Sequence, residues 1–220
     1  MPRHRGVKRP TGSAVREPLS YALGTRAKVA CLRILALTRQ PITQRELARR
    51  AHLQHRSVQL ALDELVALAL VSRIEGGRDF LVSINSAHRL AQPLGELFRR
   101  EADHFLDLRS AIVDLAGAGP RRGRPLAVVL FGSAARGADD AESDLDVLLI
   151  APDEATRTTV LDRIQERAEE IRRRFGVRVK PVGYTVSEAH RLWRERGSPL
   201  QEVAQDGLVL SGARIAELLR

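Results

Sequence analysis

Apolar residues fall into helical register from Thr25 onward. Val29, Leu32, Leu35 and Ala36 share one face of a helix that Thr25 would cap and Pro41 would end. Thr43-Gln44-Arg45-Glu46 then predicts a capping box, in which the threonine side chain takes an amide three residues on and the glutamate reaches back. A short helix to about Ala51 follows, then a His52-Leu53-Gln54 turn. A further helix carries Val58, Leu62, Leu65 and Ala69 at spacings of three and four. Alternation on both sides of Gly76-Gly77 predicts a β-hairpin. A long helix starts near Pro93 and carries Leu94, Phe98, Phe105, Leu108, Ile112 and Leu115 as its apolar stripe. Past a boundary loop at 117–125 the pattern changes. Strands are expected at 126–131, 144–150 and 177–185, with a helix from Asp153 to Phe175 and two helices after the last strand.

Four segments result. Residues 1–20 are rich in Arg, Lys, Pro, Gly and Ser without periodicity and read as a disordered basic arm, either tracking phosphates or merely solvated. Residues 21–90 form a first domain, 91–118 a linker helix, and 119–220 a second domain with a small mixed sheet and flanking helices. The fold class is therefore two-domain, α+β or α/β.

Three helices, a tight turn between the second and third, and a hairpin make residues 22–85 resemble the winged helix-turn-helix domains of bacterial transcription regulators. Gln54 departs from the Ser or Thr often found as cap there, and Ala69 stands where glycine often closes the recognition helix. The resemblance implies binding of double-stranded DNA, with the N-terminal part of the recognition helix in the major groove. His55, Arg56, Ser57 and Gln59 would then meet base edges, where Arg favours guanine and Gln favours adenine. Arg45, Arg49, Arg50, Arg73 and Arg78 would meet phosphates. Such domains generally dimerise, and Leu60, an apolar residue on an exposed turn, would suit a partner subunit. The alternative is a winged helix used for protein contact.

Charge fits this picture without proving it. The chain has 36 Lys+Arg against 27 Asp+Glu, a net +9, and a pI near 10.9. That excess points to a polyanion, nucleic acid before membrane surface, unless it only reflects an arginine-rich composition. The single cysteine, Cys31, rules out an internal disulfide and a cysteine-rich metal site. It reads as a core residue. No apolar run reaches the length of a membrane span, and the basic N-terminus lacks the apolar segment of a secretory signal. A soluble cytoplasmic protein is expected.

The chemistry gathers in residues 128–150, VVLFGSAARGADDAESDLDVLLI. Asp144 and Asp146 are two apart on a strand and so face the same way. Carboxylates this close repel unless a cation lies between them, and hard oxygen donors suit Mg²⁺, which also takes phosphate oxygens. Gly132-Ser133 offers unencumbered amides and a hydroxyl to a polyphosphate, and Arg136 lies one turn further on. Together these predict phosphoryl or nucleotidyl transfer.

Gly132-Ser133, the following Ala-Arg-Gly, and Ser143-Asp144-Leu145-Asp146 between apolar neighbours resemble the polymerase-β-type nucleotidyltransferases, especially their minimal bacterial members. The resemblance covers residues 120–215. It implies that Gly132 and Ser133 hold the β- and γ-phosphates of a nucleoside triphosphate. Asp144 and Asp146 would hold Mg²⁺ while a hydroxyl attacks the α-phosphate. Asp139, Asp140 and Glu142 are expected to be solvated loop residues.

Active members of that family usually place a third carboxylate on the next strand. Here Arg178 and Lys180 occupy the positions facing with the pair. Glu188 and Glu195 would substitute only if their helix folded over the site, and His190 and Trp193 read as packing or surface residues. Three functions follow: a DNA-binding nucleotidyltransferase, a regulator whose degenerate transferase domain senses a nucleotide, or the antitoxin-like partner of a toxin.

Overall fold

The computed structural model describes residues 15–16, 25–76, 79–117 and 123–220. The described residues fall into two units, one within residues 25–103 and the other comprising residues 15–16 and 104–220.

The first unit contains α1 (Arg26–Leu37), β1 (Ile42–Thr43), α2 (Gln44–Ala51), α3 (His55–Ala67), β2 (Val71–Gly76) and β3 (Asp79–Ile84). This is the winged helix-turn-helix order, with β1 added to the hairpin in an antiparallel sheet β1-β3-β2. Cys31, Leu35, Leu47, Val58, Leu62, Leu65 and Val82 close its core, and Leu35, Val58, Leu62 and Leu65 among them lie on the faces that the helical spacing predicts. Each large side chain buried in this way contributes roughly 1.5–3 kcal/mol. Cys31 is fully buried, and burial pushes its thiol up to about 12. It is a packing residue and inert as a thiolate.

Local details depart from the prediction. Thr25 occupies the N-cap of α1 but makes no side-chain cap bond. The box at Thr43 is half built: Thr43 Oγ1 accepts from the Glu46 amide at 3.1 Å, while the Glu46 carboxylate turns to Arg49 and Arg50. Ala69 takes the left-handed conformation in place of glycine, φ 55°. Asn85 donates from Nδ2 to its carbonyl at 2.8 Å.

The helix α4 (Ala91–Ala116) crosses the boundary between the units. In the first unit it carries Glu101, which is 6% exposed and accepts from Arg33 Nε and Nη2 at 2.6 and 3.0 Å. Burial of a carboxylate is tolerable only with such a fork of charge-assisted bonds.

The second unit is built on a mixed sheet ordered β6-β5-β4-β7. Its elements are β4 (Ala127–Phe131), α5 (Gly132–Arg136), β5 (Asp144–Ala151), α6 (Glu154–Phe175), β6 (Arg178–Thr185), α7 (Val186–Trp193), α8 (Pro199–Asp206), β7 (Leu208–Gly212) and α9 (Ile215–Leu218). β4 pairs antiparallel with β5 and β7, whereas β5 and β6 run parallel around the α6 crossover. The strand β7 and the helix α9 were not expected from the pattern; the run Leu208-Val209-Leu210 is too short to distinguish from helix by periodicity.

The sheet has two packed faces. Val128, Leu130, Leu145, Val147 and Leu149 join Leu108, Ile112, Leu115, Ile164 and Phe175 from α4 and α6. Ala127, Val129, Leu148 and Ile150 join Ala189, Leu200, Val203 and Ile215 from the C-terminal helices. The second face therefore carries the even positions of β5, where Asp144 and Asp146 also lie.

Residues 15–16 correct the reading of 1–20 as an unstructured arm. Val15 is 3% exposed in the core of the second unit. Arg16 lies over the Phe105 ring at 4.3 Å and donates to the carbonyls of Ala134 and Ala135. The rest of that segment lies outside the described residues, as do Gly77 and Arg78.

Candidate functional site

The turn after β4 is shaped by its partner strand. Gly132 has φ +73°, a conformation that favours glycine, and a Cβ there would have to displace the Asp146 carboxylate. Gly132 opens α5, Ser133 is half-buried in its first turn, and Gly137 closes it in the left-handed region. Phe131 pairs with Asp146 across the sheet, which brings the Gly132-Ser133 turn beside the carboxylate pair.

Asp144 and Asp146 differ in surroundings. Asp144 Oδ1 lies 3.2 Å from Arg178 Nε, and its side chain is 39% exposed. Asp146 is held above the usual carboxylate range, chiefly by burial; Lys180 opposes that shift and Asp144 adds to it. Burial disfavours the charged form of such a carboxyl, and a cation beside it would favour that form again. The parallel register sets Asp144 against Arg178 and Asp146 against Lys180. Both cations thus stand where the third carboxylate was sought.

Neither proposed substitute fills that position. Glu188 closes a full capping box with Thr185, its carboxylate accepting from the Thr185 amide at 2.8 Å, and the same bond holds it below its ordinary range. Glu195 lies in the exposed turn after α7. Trp193 packs against the second-face core, as expected of a structural residue.

The loop between the turn and β5 corrects a further expectation. Asp139 is not solvated: it is 1% exposed, and Oδ2 accepts from the Val15 amide at 2.8 Å. Asp140 accepts from Ser143 Oγ at 2.9 Å and from the Glu142 amide at 3.1 Å, which folds the loop back toward β5. The link to Val15 spans 124 residues of sequence, so no local signal announces it.

Arg136 is exposed at the end of α5 and lines a cleft of about 330 Å³ with Phe131, Gly132, Glu202 and Asp206. Glu202 and Asp206 belong to α8, and sequence reasoning passed over them. They read as polar residues of an amphipathic helix until α8 is seen packed on α5.

On the winged-helix unit, His55, Arg56 and Gln59 are exposed along the first turns of α3, and Ser57 is half-buried. His55 and Gln59 share a cleft of about 440 Å³ with Gln44, Arg45, Glu75, Asp79 and Phe80. Arg49 and Arg50 meet Glu46 at 2.7 and 2.6 Å, which pulls Glu46 down to about 2. Arg73 pairs with Asp63 at 2.8 Å, and Arg45 lies 3.9 Å from Asp79. All four arginines are thus paired within the unit, Arg45 at the longest distance, by contacts that water and salt weaken. Leu60 is 59% exposed, as its position on the helix face predicts. Among the described residues no helix is long and apolar enough to cross a membrane.

Residues 118–202 match the family model described as a nucleotidyltransferase domain, so the second unit carries that domain. A search of curated proteins finds no match. Among solved structures, the chain is similar to a MarR family transcriptional regulator from Silicibacter pomeroyi: 21% identity, 45% of this chain and 70% of that one, TM-score 0.36. The adhesin competence repressor from Streptococcus pyogenes matches at 19% identity over 46% of this chain and 75% of its own, TM-score 0.36. A toxin-antitoxin structure with AMP-PNP matches at 20% identity over 50% of this chain and 80% of its own, TM-score 0.33. TM-scores this low carry no argument for this chain. The winged-helix assignment stands on the element order and sheet pairing above.

Proposed function

We propose that the protein is a DNA-binding nucleotidyltransferase, which transfers a nucleoside monophosphate from a nucleoside triphosphate to a hydroxyl acceptor. The observation that carries this reading is the fit between Gly132 and Asp146: the turn carries no side chain, and a carboxylate of the pair fills that space. Two carboxylates on one strand face, one of them raised by burial, are a donor set suited to a single Mg²⁺ that shares phosphate oxygens. When bound, that ion would neutralise charge on the phosphates. Asp144 and Asp146 would hold it. The amides of the Gly132-Ser133 turn and the Ser133 hydroxyl would orient the phosphates, with Arg136 and Lys180 adding positive charge. Arg178 and Lys180 disfavour a second cation on the β6 side.

The winged helix would read duplex DNA through His55, Arg56, Ser57 and Gln59, with Arg45 on the backbone. A homodimer would present two such helices to paired half-sites. The test is Mg²⁺-dependent transfer of label from an α-labelled triphosphate to any lysate protein or RNA. The expected outcome is transfer that disappears in Asp144→Asn. Absence of transfer, with Asp144→Asn indistinguishable from the parent, would sink the reading.

A second reading is a regulator that binds nucleotide without turning it over. The Arg178–Asp144 contact, in the place of a third acid, favours it. Triphosphate binding in calorimetry with no labelled product would select it.

A further inference from the structure

Residues 134–143 join the Gly132-Ser133 turn to Asp144, so their placement sets where the turn stands against the carboxylate pair. Little in this segment holds it in place by itself. α5 is a single short turn, Gly132–Arg136, and a helix of that length is unstable in water without support. Arg136, Ala138, Ala141 and Glu142 are exposed. The segment's own backbone bonds are local: Ala138 donates to the Ser133 carbonyl at 2.9 Å and Ser143 to the Asp140 carbonyl at 3.1 Å.

Support comes from residues more than a hundred positions earlier. Arg16 Nη2 donates to the carbonyls of Ala134 and Ala135 at 3.3 and 3.1 Å. These belong to the C-terminal end of α5, where helix carbonyls lack partners and a cation is favoured. The Arg16 side chain lies along Gly137, where a Cβ would come 3.5 Å from Nε. Its guanidinium sits 4.3 Å over the Phe105 ring. The Val15 amide donates to Asp139 Oδ2 at 2.8 Å, and Asp139 Oδ1 meets no partner among the described residues. The loop thus buries a carboxylate that leans on the Val15 amide, and removal of that donor would leave the group costly to bury.

The ordinary explanation is that Val15 pins a chain end to the core. Its apolar side chain, 3% exposed in a cluster with Leu108 and Ala134, would suffice for that. It leaves the polar contacts unexplained. The three hydrogen bonds from Val15 and Arg16 all end on residues 134–139, the link between the two parts of the site.

We propose that Val15 and Arg16 form a strap that positions the Gly132-Ser133 turn against Asp144 and Asp146, with Arg16 as the positioning residue. Arg16 acts through α5 and not on the phosphates. The inference rests on the reading above, in which this turn and this pair hold a triphosphate. It makes the residues before the winged helix a working part of the transferase site.

The experiment compares the full chain with Arg16→Ala, Arg16→Lys and Phe105→Leu. Binding of each common ribonucleoside triphosphate with Mg²⁺ is measured by calorimetry, and transfer from the α-labelled triphosphate is followed at several concentrations. Arg16→Ala should raise Kd and KM about tenfold, and Arg16→Lys should recover most of that loss. Phe105→Leu, which removes the ring beneath the guanidinium and keeps an apolar side chain, should raise both about threefold; it carries the test if Arg16→Ala does not fold. Amide hydrogen exchange in the same samples should quicken over residues 132–143 and stay as in the parent along β5 and β6. Unchanged Kd and KM would overturn the strap and leave the transferase reading standing. So would a loss of binding stoichiometry and kcat at constant Kd and KM, with exchange faster throughout the unit, because that pattern reports folding alone. Weaker binding in Arg16→Ala, with no transfer by any chain, would overturn the transferase reading and retain the strap. A parent chain that binds no triphosphate would overturn both.

Discussion

Residues 1–90 carry 16 Lys+Arg against 6 Asp+Glu, whereas residues 91–220 carry 20 against 21. The high isoelectric point belongs to the arm and the winged helix, and the nucleotidyltransferase half is neutral in sum. This contrast teaches two uses of charge. In the first half an overall excess creates a field that attracts a polyanion at long range and does not depend on any one residue. In the second, balance leaves placement to decide, as where Arg178 and Lys180 stand against Asp144 and Asp146. Arginine is paired locally in both: Arg49, Arg50 and Arg73 are held by acids of the first unit, and Arg167, Arg172 and Arg178 by acids of the second.

The largest effect expected from breaking the comparison is on transfer. Asp144→Asn or Asp146→Asn should lower it at least about 10²-fold, by loss of charge neutralisation on the phosphates, and leave duplex DNA binding as in the parent. An equal loss of DNA binding would show that the two halves do not separate as proposed. Next in size is core truncation. Leu62→Ala should cost the winged helix about 2–5 kcal/mol, and Ile164→Ala should cost the transferase unit a similar amount. Both residues are fully buried. Trp193 is the single tryptophan and lies in the second unit. Its fluorescence in urea should therefore register Ile164→Ala and be blind to Leu62→Ala, whose unfolding is followed by circular dichroism.

A smaller effect is expected at the DNA surface. Arg56→Ala should weaken binding to its preferred duplex by about 1–3 kcal/mol and relax base preference, with no change in nucleotide transfer. Equal affinity for every sequence before and after the change would assign the winged helix to backbone or protein contact. The smallest effect concerns pH in the second half. Asp153 caps α6 by accepting from the Thr156 amide at 2.8 Å, which lowers its ionisation below the ordinary carboxylate value. Its contribution is fully present above the unfolded value and is lost as pH falls through the lowered folded one. Asp153→Asn keeps a capping oxygen. The urea midpoint of the variant, followed at Trp193, should thus fall less than that of the parent between neutral and strongly acidic pH.

Much of the site was legible because its signals are local. A two-residue spacing places Asp144 and Asp146 on one face of any strand they occupy, and Gly132 before a helical run marks a turn without a side chain. The same locality exposed the winged helix, whose apolar spacing named Leu35, Val58, Leu62 and Leu65 as core. Thr43 as a cap was legible too, although Glu46 chose Arg49 and Arg50 over the backbone. Those competing arginines lie within four residues, and the choice is one of side-chain geometry rather than pattern.

What the sequence by itself determined, then, is most of the elements, though not β1, β7 or α9, together with the face each predicted element presents and the residue types brought to the turn and the strand. Tertiary structure alone decided which elements meet. The parallel pairing of β5 with β6 sets Arg178 against Asp144, and α8 carries Glu202 and Asp206 to the Gly132 turn. Val15 comes from far along the chain to bury Asp139. The physical reason is that periodicity records how a segment divides itself between core and water. Choice of partner is made among many segments at once, by close packing and by the need of each buried polar group for a bond.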